Sequence, residues 1–178
     1  DELNVAVRIV EEMQDEEDFD NFDDEKEGTF SDDIEGVATP LWMAAYKGLD
    51  TVVSYLIEQG GDPNFSWGID CCCVSTVCIA VLGGNIECLK ILHKYVGTDA
   101  IKRDFLLDDG NMACVAACHG NVSILEFLTD IGIGPVDDRT VSRSVRMNKE
   151  YGDGKGITTK MREAIKKNQK LCQRNESD

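Results

Sequence analysis

The chain has 178 residues and a net charge of −16, with 34 Asp+Glu against 18 Lys+Arg and two histidines. That length suits one domain, and no apolar run approaches the roughly 18 residues of a membrane-spanning helix. So acidic a surface repels phosphates, which argues against nucleic acid as a partner.

The acidity is uneven. Residues 1–138 hold 29 acids against 7 bases, whereas residues 139–178 hold 5 against 11. The two ends therefore face different electrostatic surroundings, or each other. The chain begins on Asp1, which predicts processing or an internal start, with any targeting peptide already removed.

Residues 1–13 read as an amphipathic helix, with Leu3, Val7 and Val10 on one side. Such a helix suits the cap that a repeat array needs at its open end; docking on a partner is the other reading. Residues 14–36 form an acidic insertion, and Glu11–Glu35 holds 14 acids and one lysine. That composition buries too little to offset its ordering entropy, so it predicts no regular structure. Phe19 and Phe22 alternate with acids there, a pattern that suits either a solvated insertion or a motif that folds against a basic, apolar groove. Asp18 and Asp20 have the spacing of a calcium loop, but Phe22 takes the third ligand position and no glycine follows at the sixth.

Thr39–Asn64 reads as two short antiparallel helices. Thr39 suits an N-cap and Pro40 the first helical position. Leu41, Ala44 and Ala45 make an apolar stripe, Gly48 ends the first helix, and Val52, Val53, Leu56 and Ile57 line the second. A pair this short cannot bury its own apolar faces, and copies follow. A shift of 36 residues lays Ser75-Thr76-Val77 on Thr39-Pro40-Leu41, Gly84 on Gly48, and Cys88-Leu89 with Leu92 on the second-helix core. A second shift of 36 lays Ala116-Ala117 on Ala44-Ala45, Gly120 on Gly48, and Ile124-Leu125 with Leu128 on the same core.

A fixed period of this size is the mark of a solenoid. In TPLWMAAYKGLDTVVSYLIEQGGDPN the chain resembles the ankyrin repeat family, and by register the resemblance covers about residues 37–138. It implies three repeats, about 37–70, 73–106 and 109–138, in an all-α helix-turn-helix solenoid. Hairpin fingers would project from it, with a capping helix before it and a degenerate capping repeat after it. The period exceeds the family's roughly 33 residues, and Trp42, Cys78 and Cys114 stand where the family's histidine would be. That replacement predicts larger or softer side chains along the row in place of inter-repeat hydrogen bonding.

The resemblance makes Phe65–Val74 a finger, with Phe65, Trp67 and Ile69 near its tip, either as binding anchors or packed on the next finger. Gly97–Gly110 reads as a second connector, with Lys102, Arg103 and Phe105 at a mixed basic and aromatic tip. Cys71-Cys72-Cys73 is contiguous, and adjacent residues cannot all face one ion, so no metal site is expected. Cys78, Cys88, Cys114 and Cys118 fall in helices, where cysteine acts as a small hydrophobe. They point to a reducing intracellular compartment, the cytoplasm or alternatively an organelle stroma or matrix.

Residues 139–178 read as a basic, degenerate capping repeat ending in a helix. There Lys160, Lys166 and Lys167 lie off the Met161–Ile165 face. An anionic surface or acidic partner is the alternative use of that basic helix.

No P-loop, nucleophile elbow or zinc-protease motif is present, and the expectation is a non-enzyme without cofactor. The resemblance implies a protein-binding scaffold or adaptor. Its surface of fingers and first helices would carry Trp42, Tyr46, Phe65, Trp67, Ile69 and Phe105 as anchors, with Lys102, Arg103 and Asp104 tuning specificity. Phe19, Phe22, Lys160, Lys166 and Lys167 are secondary contacts. The alternative is a structural subunit, stapled into a large assembly by its acidic N-terminal segment and basic C-terminal region.

Overall fold

A computed structural model describes residues 39–67, 74–106, 110–142, 146 and 158–175. The helix expected over residues 1–13, the acidic insertion with Phe19 and Phe22, Ile69 and the cysteine triplet lie outside the described residues.

Three helix pairs repeat along the chain: α1 (Pro40–Lys47) with α2 (Asp50–Glu58), α3 (Thr76–Leu82) with α4 (Ile86–Arg103), and α5 (Met112–Cys118) with α6 (Val122–Asp130). A long helix, α7 (Thr159–Asn175), follows. Between the pairs run two hairpins of two-residue strands. β1 (Ser66–Trp67) pairs antiparallel with β2 (Val74–Ser75), and β3 (Phe105–Leu106) with β4 (Gly110–Asn111).

The 36-residue period recurs in the caps. Thr39 Oγ1 accepts the Trp42 amide at 3.2 Å. Ser75 Oγ accepts the Cys78 amide at 2.8 Å, and Asn111 Oδ1 accepts the amides of Ala113 and Cys114. Each satisfies a donor that the helix start would otherwise leave without a partner. Gly48, at the end of α1, has a φ of 74°, a left-handed turn that glycine makes without strain. The chain reverses there into α2.

First helices stack on first helices: α1 on α3, and α3 on α5; α2 packs on α4 in the layer behind. Ala44, Ala45, Ala80, Ala113, Ala116 and Ala117 are fully buried, and their small side chains let the inner helices approach closely. Leu89, Leu92, Ile124, Leu125 and Leu128 fill the space between the layers, at roughly 1.5–3 kcal/mol of burial each.

A polar ladder ties neighbouring pairs. Asn85 Nδ2 donates to the carbonyls of Ala45 and Tyr46 at 2.8 and 2.6 Å. Asn121, 36 residues on, donates to Val81 O at 2.8 Å. These three bonds reach carbonyls at the end of the preceding first helix, the region where helical carbonyls run short of intrahelical donors.

Two expectations change here. The second connector is helical as far as Arg103. Gly97 interrupts α4 at φ 77° and ψ 167°, and a further turn forms around the fully buried Ile101. The row of replaced histidines also keeps hydrogen bonding across repeats, since Trp42 Nε1 donates to Val74 O at 3.0 Å. The Cys114 thiol lies 3.8 Å from Pro135 O.

The last repeat is covered by α7, which packs on α6. Met161, Ala164 and Ile165 enter the core, while Lys160, Arg162, Lys166, Lys167 and Lys170 remain exposed.

Burial, reinforced by the nearby Asp50 carboxylate, pushes the Cys88 thiol from 9.0 up to about 11. Folded and unfolded chains both hold this proton below pH 9. Above it the unfolded chain releases the proton first, so this contribution to stability is present below about pH 9 and lost as pH rises through about 11. Denaturation of wild type and Cys88→Ala at about pH 8 and about pH 10.5 checks this. The alkaline loss of stability is expected to be smaller in the variant.

Candidate functional site

The first finger and the kinked α4 enclose a polar groove of about 240 Å³. Pro63, Asn64 and Ser66 come from the finger side, and Ser75 and Val77 from the start of α3. Val96, Ala100, Arg103 and Asp104 come from the far half of α4 and its end. The turn at Gly97 brings these last residues round to face the finger. Asp104 is held in place by its own amide, which donates to Ala100 O and Ile101 O.

Ser75 is the hinge of this site. Its hydroxyl oxygen caps α3 by accepting the Cys78 amide, and its proton goes to Asp104 Oδ2. The Phe65 carbonyl opposite accepts both the amide and the hydroxyl of Thr76, each at 2.9 Å. The finger base is thus fixed to the same helix start that holds the acid. Burial raises the Asp104 carboxyl above the usual carboxylate range, and the Ser75 bond draws it partly back. Loss of hydration penalises the ionised form. Among the described residues Asp104 has no ion pair, although Arg103 lines the same groove.

The predicted anchors divide. Trp42 is only 4% exposed and belongs to the core; its bulk fills the row between first helices, so it is not an accessible surface residue. Tyr46 is 36% exposed and stacks on Trp42, with ring centroids 6.4 Å apart. Phe65 is half-buried against the core rather than at a tip, because its backbone anchors Thr76. Trp67 and Phe105 are placed as strand residues. Lys102 and Arg103 are exposed in the last turn of α4 rather than at a finger tip, where cations complement the helix dipole.

Of the predicted residues, Arg103 and Asp104 are those that line the groove among the residues whose side chains are described. Lys160, Lys166 and Lys167 are exposed on α7, beside the last repeat, with Lys167 Nζ 3.1 Å from Asp130 Oδ1. Sequence reasoning missed the groove's other polar members, Asn64, Ser66 and Ser75. It also missed Tyr95, which is 50% exposed on α4. Asn64 read as the end of the helix-pair stretch and Ser66 as part of the finger Phe65–Val74, and neither signals a lining role.

Among the described residues no helix is long and apolar enough to cross a membrane. The ankyrin repeat family model matches residues 38–66. No curated protein and no solved structure matches the chain.

Proposed function

We propose that this chain, an all-α solenoid of the ankyrin type with an ankyrin repeat at residues 38–66, is a scaffold that holds a protein partner on the face built from its fingers and first helices. Ankyrin repeats are in general protein–protein interaction modules and typically non-catalytic. The observation that carries the reading to this face is the groove between the first finger and α4. It gathers backbone-fixed polar groups at the finger base, on a frame stiffened by caps and the asparagine ladder. A rigid frame reduces the ordering entropy that binding must overcome.

The test is affinity capture with the whole chain, comparing wild type with Tyr46→Ala/Asn64→Arg/Ser66→Arg and with deletion of residues 14–36. All three changed side chains are exposed, so circular dichroism is expected to stay unaltered. A partner lost by the triple variant and kept by the deletion supports the reading. Partners lost only by the deletion transfer the function to the acidic segment.

A second reading, a subunit stapled into a larger assembly, draws on α7. Its exposed face carries Lys160, Arg162, Lys166, Lys167 and Lys170 beside one acid of the same helix, Glu163, with Lys167 paired to Asp130 of α6, a stripe suited to an acidic neighbour.

A further inference from the structure

We propose that the groove between the first finger and α4 is a receptor for a single lysine side chain of the protein partner, with Asp104 as the acceptor of its ammonium. The proposal rests on the scaffold reading and adds the chemistry of the anchor.

Size comes first. Sites for small molecules run to about 300–1,000 Å³, and this groove, at about 240 Å³, falls below that range. It has room for one inserted side chain. Its walls are of two kinds. Val77, Val96 and Ala100 are apolar, and they match the methylene stem that a lysine buries while keeping its head among polar groups. Asp104, with Ser66 and Asn64 nearby in the lining, supplies oxygen acceptors for that head.

The carboxylate is incompletely satisfied. Ser75 occupies Oδ2, and among the described residues no hydrogen bond or ion pair reaches Oδ1. A partly desolvated carboxylate in that condition gains from an incoming cation, which favours its ionised form. One open oxygen suits the compact ammonium of lysine better than the two-pronged guanidinium of arginine, whose strongest pairing engages both oxygens. The wider field agrees: residues 39–138 hold 13 acids against 5 bases, a balance that attracts a basic partner to the repeat region. Arg103, in the same lining but exposed, opposes the cation and sets a limit on affinity.

The test uses the full isotope-labelled chain and Nα-acetyl-lysine methylamide as the probe, followed by amide chemical shifts. Three comparison probes are the Nε-acetylated form, the arginine analogue and the glutamate analogue. Saturable shifts at Ser66, Ser75, Ala100 and Asp104 are expected with the lysine probe. Affinity should drop about tenfold or more on Nε-acetylation and in Asp104→Asn, the scale of a lost charged hydrogen bond. Arg103→Glu, an exposed change that leaves Asp104 in place, should tighten binding and decides the matter if Asp104→Asn is poorly folded. Equal binding of the neutral or glutamate probe, undiminished binding by a folded Asp104→Asn, or no saturable shift would overturn the proposal. Tighter binding of the arginine probe would overturn the choice of ammonium. Because this titration needs no partner, its failure beside an intact capture result removes the lysine receptor and leaves the scaffold standing.

Discussion

Asn168→Leu is expected to lower the stability of the chain by about 3 kcal/mol or more, an effect large for a substitution close to isosteric. Asn168 is fully buried on the inner side of α7. Its Nδ2 donates to Thr129 Oγ1 at 2.9 Å and to Ile133 O at 2.8 Å, while its Oδ1 accepts the Val136 amide at 2.9 Å. One side chain thus joins α7 to α6 and to the chain that leaves it. Leucine would fill the space and leave a backbone donor and a backbone acceptor buried without partners. Asn168→Asp should be no milder, because a carboxylate cannot donate to Ile133 O. Urea denaturation followed by circular dichroism reads the effect. If Asn168→Leu stays within about 0.5 kcal/mol of wild type, the usual range for surface positions, these bonds do not hold α7 in place.

Trp42→Ala should cost about 3–5 kcal/mol, the range for emptying an aromatic site in a packed core. Two losses combine: the buried ring, and the Nε1 bond to Val74 O that ties the first pair to the strand entering the second. Trp42→Phe separates them, since it keeps most of the packing and gives up the bond, for about 1 kcal/mol plus a small void. The same denaturation curves measure both variants. A Trp42→Ala protein as stable as wild type would mean that this indole is not a core residue. A binding assay on that variant would report unfolding rather than a lost contact, so a surface test belongs on the exposed Tyr46, Asn64 and Ser66.

Much of the fold was legible because the period fixes it. The caps at Thr39, Ser75 and Asn111 stand 36 residues apart, as do Gly48, Gly84 and Gly120, and the apolar sets follow in register. What escaped was long-range. Trp42 read as a surface aromatic because no local pattern tells a core indole from an exposed one; the acceptor that holds it, Val74 O, is 32 residues away. Gly97 read as a helix end, and in one sense it is, but Ile101 makes the chain coil again as it enters the core. The asparagine ladder did have a signal, the Gly-Asn pairs at 84–85 and 120–121. It was passed over because its acceptors lie 39 to 40 residues back. The groove was least visible of all, since its walls meet only after Gly97 redirects α4.

The 36-residue translation has a practical corollary for modularity. Residues 75–110 begin with a self-capping serine, hold their own Ser75–Asp104 link, and present Asn85 backward to the preceding pair. The carbonyl they offer forward, Val81 O, is the acceptor that the next asparagine uses. The segment is therefore a transferable unit, and a tandem duplicate of it would meet neighbours through polar bonds that the array already contains.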